Sequence, residues 1–205
     1  FLPSCLLPSP AGPAEAGPHS RPAFAACVMI GAMSTVDSPV TFSTIGLRQE
    51  LADAVSALGY EEPTPVQRET IPLLLAGRDL LGQAATGTGK TAAFALPMLQ
   101  RIADGRPKPR QTCGLVLVPT RELAMQLDEV ATMLTWHMGL SAVSVVGGVD
   151  MGPQEYALKA GVDVVVATPG RLLDHVGYGH VNLSTVEVLV LDEADRMLDM
   201  GFIKP

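Results

Sequence analysis

The chain has 205 residues, 47% hydrophobic and 17% charged, enough apolar material for one good-sized core and against a chain that stays unfolded throughout. A formal net charge of −7 excludes a general polyanion binder held by bulk charge, so any nucleic-acid contact has to be local. The apolar runs are strand-length and far short of a membrane span. Three scattered cysteines, Cys5, Cys27 and Cys113, offer neither a disulfide framework nor zinc spacing; a reducing, cytoplasmic setting is expected.

Residues 1–40 differ in kind from the rest: FLPSCLLPSPAGPAEAGPHSRP is dense in Pro, Gly, Ala and Ser. Prolines fix φ and remove donors, so a disordered extension with no regular element is expected there. A signal peptide is the competing reading, opposed by the lack of a basic start and by prolines within the apolar stretch. Met33 opens MSTVDSPVTF as a candidate start, which makes the residues before it translated upstream sequence or an added remnant.

From 41 to 205 the pattern is that of one folded domain. LRQELADAVSALGY places Leu47, Leu51, Ala54, Val55 and Leu58 at three- and four-residue steps, an amphipathic helix ended by Gly59. TPVQRETIPLLLAG repeats the signal, with Thr64 as N-cap, Pro65 in the first turn and Gly77 as the stop. Five short apolar runs follow, each leading into a helical segment. DLLGQA precedes 90–100, GLVLVP precedes 121–136, AVSVV precedes 153–160, DVVVA precedes 171–176, and VEVLVL precedes 194–200. Runs apolar at nearly every position suit strands buried on both faces. Strand–helix alternation then predicts an α/β fold, a parallel sheet flanked by helices. ADGRPKPRQ, residues 103–111, reads as a basic, solvated loop.

Residues 84–91, AATGTGKT, follow a strand signal and open a helix, the context a phosphate loop requires. Gly87 and Gly89 allow a tight turn that brings N–H groups toward phosphate oxygens, and the helix N-terminus adds partial positive charge. Lys90 can reach the β- and γ-phosphates, and the Thr91 hydroxyl can ligate Mg²⁺. Ala84 stands where the usual pattern has Gly, so some φ freedom is lost while a small residue is kept. A mere Gly-rich turn is the alternative, opposed by Lys-Thr at the required place. VLVLDEAD, residues 188–195, supplies the acidic counterpart. Asp192 emerges at the C-terminal tip of a buried strand, where ligands of open α/β sheets gather, and can hold Mg²⁺. Glu193 beside it can orient or deprotonate an attacking water. An exposed acidic helix start is the alternative here.

The remaining motifs narrow the class. Phe42 and then GYEEPTPVQ (59–67) resemble a Q motif; AATGTGKT resembles motif I, PTRELA (119–124) motif Ia, and GG (147–148) the double-glycine motif. TPGR (168–171) resembles motif Ib and DEAD (192–195) motif II. In this order they resemble the first RecA-like domain of a DEAD-box ATP-dependent RNA helicase, from about Phe42 to Phe202. Tyr60, Val66 and Ala85 are mild departures from that pattern.

The resemblance implies a RecA-like P-loop NTPase domain with ATP and Mg²⁺ as its cofactors. Ala84, Ala85, Thr86, Gly87, Thr88, Gly89, Lys90 and Thr91 would surround the phosphates, with Thr91 and Asp192 on the metal. Asp192, Glu193 and Lys90 would be catalytic. The Gln67 amide both donates and accepts, so it can pair with N6 and N7 of adenine. Phe42 lies 17 positions before Gly59, where the resembled family places a ring over the adenine. The same resemblance puts Pro119, Thr120, Arg121, Gly147, Gly148, Thr168, Pro169, Gly170 and Arg171 along the backbone of a single-stranded or duplex RNA. Thr120 and Thr168 stand at helix starts, Arg121 and Arg171 can add charge-assisted bonds, and nothing here reads base edges.

Other candidates carry less. His175 and His180 read as structural or solvated, Met197, Leu198 and Met200 as core packing, and Trp136 as a helix-end packing residue. In the resembled family a strand with a Ser-Ala-Thr motif and a second RecA-like domain come after motif II, and neither follows here. The domain is therefore expected to be incomplete at its C-terminal end. Neighbouring strands sit about 4.7–4.9 Å apart, so the strands at 79–83 and 187–191 are expected to face each other across a lane roughly 10 Å wide. On this reading the chain is part of a helicase, or, as it stands, an ATP- and RNA-binding module without turnover.

Overall fold

A computed structural model describes residues 40–105 and 111–202, together with the backbone of residues 25–29. Most of the extension and most of the basic loop lie outside the described residues. The first strand, β1 (Ala25–Met29), pairs in parallel with β2 (Asp79–Gln83), Ala25 opposite Asp79 and Met29 opposite Gln83. This corrects the expectation of no regular element before residue 40. The segment AACVM lies beyond the proline-rich stretch, so neither a fixed φ nor a missing N–H opposes backbone pairing there.

Two helices precede β2: α1 (Gln49–Ala57) and α2 (Pro65–Leu75). After it come α3 (Lys90–Asp104), β3 (Gly114–Leu117), α4 (Arg121–Met138), β4 (Ala142–Val145), α5 (Met151–Ala160) and β5 (Val164–Ala167). Then α6 (Pro169–Gly177), a 3-10 turn at Leu183–Thr185, β6 (Val188–Leu191) and α7 (Ala194–Asp199) complete the order. Every strand and helix read from the sequence is present, within a few residues at the ends. Helix α4 stops where Gly139 adopts φ 65°, a left-handed cap that costs glycine little.

The main sheet has the order β4-β5-β3-β6, all parallel. Its centre is β5, whose four residues are all buried, and successive side chains feed opposite cores. Val164 and Val166 pack with Leu96, Leu99 and Leu134 on one face; Val165 and Ala167 pack with Leu158 and Leu172 on the other. Helices therefore cover both faces, as a parallel sheet requires. Each fully buried valine contributes about 1.5–3 kcal/mol relative to exposure.

Burial fails at β2 and β6. Leu81, Leu189 and Leu191 are exposed, against the expectation that every strand is covered on both faces. The reason is topological. β2 belongs to the β1–β2 pair and β6 ends the other sheet, so the two are not hydrogen-bonded to each other. A cavity of about 450 Å³ separates them, lined by Leu80 and Gly82 on one side, Val188 and Val190 on the other, with Phe94 and Met98 of α3 between. The two strands face each other across a groove, as the sequence reading expected.

Candidate functional site

Parallel strands put all their following loops at one edge. Residues 84–89 leave β2, 118–120 leave β3, 146–150 leave β4, Thr168 leaves β5 and Asp192 leaves β6. Apart from the Q-motif residues Phe42 and 59–67, the motifs thus follow the C-terminal ends of strands, where open α/β sheets bind ligands.

The phosphate loop is built against the start of α2. Gly87 and Gly89 have φ of 80° and 86°, a left-handed backbone that other residues rarely adopt. A side chain at Gly89 would also collide with the Gln67 amide nitrogen. The Thr64 hydroxyl donates to the Thr88 carbonyl at 2.8 Å, and Gln67 Nε2 donates to the Gly89 carbonyl at 3.0 Å. Gln67 Oε1 accepts from the Thr64 N–H at 2.9 Å, closing a capping box. Within the loop, the Thr88 hydroxyl donates to the Ala85 carbonyl at 2.8 Å. Ala85, Thr86 and Gly87 are exposed, while Ala84, Thr88, Gly89, Lys90 and Thr91 are half-buried. The loop is held open from one side, with its tip in solvent.

Two residues sit deeper than a base-contacting role requires. Gln67 is 0% exposed and its amide is committed to the loop. Phe42 is 4% exposed, and its ring belongs to the core with Leu47, Leu51 and Ile71. The apolar ring is driven inward by burial in this conformation, so the structure does not bring it to an open face.

Lys90, the first residue of α3, lines the same groove as Asp192. Burial pushes the Asp192 carboxyl above the usual range; the Lys90 charge and the Glu193 N–H, donating to Asp192 Oδ1 at 3.1 Å, pull it back, and the Glu193 charge pushes it up again. Glu193 has φ 52° and ψ 47°, the sole non-glycine residue with positive φ among those described. Such strain persists where surrounding structure over-determines it, and it gathers at functional sites. Arg196 Nη1 meets Glu193 Oε2 at 3.2 Å. Thr91 follows Lys90 in α3 and Asp192 follows β6, and their hard oxygen donors suit Mg²⁺.

The other motifs meet around residues 146–150. Arg121 Nη1 donates to the Gly148 carbonyl at 3.4 Å and Arg171 Nη1 to the Val149 carbonyl at 3.1 Å. Gly147, Thr168 and Pro169 are half-buried, Gly148 and Gly170 exposed, and Pro119 buried beneath the edge. Thr120 caps α4 by accepting from the Leu123 N–H, whereas Thr168 makes no such cap and keeps its hydroxyl for other partners. Sequence reasoning missed Thr64 as a loop anchor and Gln154 altogether. Gln154 is 6% exposed and bonds only to this loop region. The capping box at 64–67 was the available signal for the first; nothing in the sequence marks the second.

The weaker candidates divide. The Nδ1 atoms of His175 and His180 lie 3.0 Å apart, with His180 Nε2 at 3.5 Å from Glu155. Among the described residues no three-ligand metal cluster forms, and no helix is long and apolar enough to cross a membrane. Met197 is buried as expected, but Leu198 and Met200 are exposed beside β6. Trp136 is 83% exposed rather than packed, because it lies on the face of α4 opposite the buried Leu127, Ala131 and Leu134.

Residues 64–204 match the DEAD/DEAH box helicase family. The chain belongs to that family. It is 50% identical over 167 residues to the ATP-dependent rRNA helicase rrp3 of Botryotinia fuckeliana, covering 81% of this chain and 34% of that protein. It is 52% identical over 165 residues to the ATP-dependent RNA helicase DeaD of Escherichia coli strain K12, covering 80% of this chain and 26% of that one. The crystal structure of a hypothetical ATP-dependent RNA helicase from Sulfolobus tokodaii superposes with a TM-score of 0.68 at 37% identity, over 76% of this chain and 44% of the other. The DEAD/DEAH box chain therefore spans about a third or less of the curated relatives it matches. Its parallel sheet flanked by helices is part of the RecA-like domain they share.

Proposed function

We propose that this chain is the Mg·ATP-binding, RNA-backbone-binding domain of an ATP-dependent RNA helicase, with hydrolysis and duplex unwinding belonging to the whole enzyme. The observation that carries the reading is the single groove shared by Lys90 and Asp192 at the C-terminal edge of the sheet. Lys90 on one wall and the Asp192 carboxylate on the other, with the phosphate loop leading into α3 and Glu193 following Asp192, suit a nucleoside triphosphate with its metal.

Lys90 holds the β- and γ-phosphates, and the N–H groups of the exposed loop tip complete the cradle. Thr91 and Asp192 hold Mg²⁺, which when bound neutralises phosphate charge. Glu193 orients the attacking water and takes its proton. Gln67 selects adenine: one N–H and one lone pair are used on the loop and on Thr64, which leaves one of each for a bidentate contact. RNA lies over Thr120, Gly147, Gly148, Thr168 and Gly170, held by backbone contacts alone and so without sequence preference.

Lys90→Ala removes a charge that serves every nucleoside triphosphate, so ATP and GTP affinity fall together. Gln67→Ala removes adenine discrimination of about 1–3 kcal/mol. Titrating both variants with both nucleotides separates the roles. Equal loss of ATP and GTP binding in Gln67→Ala would sink the adenine assignment.

A further inference from the structure

Glutamine is mostly exposed in folded proteins, yet Gln154 in the first turns of α5 is 6% exposed, and all its hydrogen bonds go to one five-residue stretch. Its Oε1 accepts from the Val146 N–H at 3.1 Å, while Nε2 donates to the Val146 carbonyl at 3.2 Å and the Asp150 carbonyl at 3.1 Å. The side chain therefore behaves like a short partner strand beyond the end of β4. It clamps both ends of the stretch 146–150. Between those ends, the carbonyls of Gly148 and Val149 are taken by Arg121 and Arg171. Four carbonyls of the loop, at 146, 148, 149 and 150, thus accept from side chains.

Within 146–150 the Gly147 carbonyl alone lacks a side-chain donor, so unpaired donors outnumber unpaired acceptors. Among the described residues, the N–H groups of Gly147 and Gly148, in a turn at 147–148, have no protein acceptor. Gly148 adopts φ 75°, and a left-handed residue in such a run turns successive N–H groups toward one side, an arrangement that suits anions. Arg121 and Arg171 are half-buried, the Arg171 side chain 13% exposed, and Gln154, 6% exposed, spends its amide on the loop. Its principal effect therefore passes through the loop.

We infer that Gln154 is the positioning residue of the RNA-binding loop, fixing the 146–150 backbone so that its free N–H groups face the RNA phosphates. The inference rests on the RNA-backbone reading above. The arrangement also links the loop to α5, so a disturbance of that helix is transmitted to the RNA face and not to the phosphate loop beside β2.

The test uses the whole 205-residue chain, a fluorescent oligouridine followed by anisotropy, and ATP titration in parallel. Gln154→Met keeps length and removes all three bonds; Gln154→Glu keeps the acceptor and loses both donations. Both variants are expected to bind oligouridine about tenfold more weakly, the scale of a lost buried hydrogen-bond set, with ATP affinity unchanged. The slope of log affinity against log salt should shrink by about 0.7 for each phosphate contact released, a change that general loss of structure does not produce. Oligouridine binding unchanged in both variants but weakened in Arg121→Ala would overturn the inference and leave the RNA reading standing. Binding unchanged in Arg121→Ala and Arg171→Ala as well, or no binding by the unaltered chain, would overturn both. Joint loss of RNA and ATP binding would mark Gln154 as a folding residue and overturn the positioning role.

Discussion

At Asp192 two requirements collide. On the proposed reading the carboxylate has to be ionised to hold a metal, yet burial pushes its pKa above the usual range despite Lys90 and the Glu193 N–H. A raised folded-state value means that the folded protein binds this proton more tightly than the unfolded chain. Its contribution to stability is present below the ordinary Asp value of about 3.9 and is lost as pH rises through the raised value. At neutral pH the buried charge is a cost. Asp192→Asn is therefore expected to raise the thermal midpoint at neutral pH, with the gain shrinking toward about pH 4, measured by calorimetry without nucleotide. A variant less stable than the unaltered chain at neutral pH would show that burial is not the dominant influence. The strained φ of Glu193 belongs to the same corner, where the chain turns sharply from β6 into α7 and places two carboxylates side by side.

Among the elements, α6 joins two functions. Its first turn carries Arg171 to the loop after β4, and its last turn carries His175 into the core. Burial pushes the His175 pKa below the usual range, His180 and Arg171 push the same way, and Asp174 and Glu155 oppose them. The folded protein therefore holds His175 neutral, while the unfolded chain takes up a proton near pH 6.5. The stability this supplies is present above that value and lost as pH falls below it. The thermal midpoint should drop between about pH 7.5 and 5.5, and His175→Phe should flatten the drop; an equal drop in the variant would contradict the account. Little of this was legible beforehand. The runs GLVL, VVVA and VLVL announced their strands because both-face burial demands valine and leucine at every position. The His175–His180 contact and the inward-pointing Arg171 depend on how α5 and α6 pack, which no local pattern encodes. Trp136 was misread for a local reason: it sits on the face of α4 turned away from Leu127, Ala131 and Leu134, which is readable from helical spacing.

At the scale of the whole molecule, the decisive feature is that the two walls of the groove shared by Lys90 and Asp192 belong to different sheets. Lys90 rides on α3 behind β2, Asp192 rides on β6, and no ladder joins the two strands. Their identities were readable from AATGTGKT and DEAD, because phosphate and metal chemistry constrains residue types tightly. The split was readable only by resemblance, and the pairing of residues 25–29 with β2 was not readable at all, since a five-residue apolar segment carries no partner in its pattern. If one Mg·ATP bridges the groove, Lys90 and Asp192 act on the same ligand and their substitutions cannot be independent. The direct measurement is a double-mutant cycle on Mg·ATP affinity by isothermal titration, using Lys90→Ala, Asp192→Asn and the pair. The account predicts a coupling of at least about 1 kcal/mol between them, which disappears when Mg²⁺ is withheld. Losses that add to within about 0.5 kcal/mol with Mg²⁺ present would contradict it, and would mean that the two residues do not grip one nucleotide.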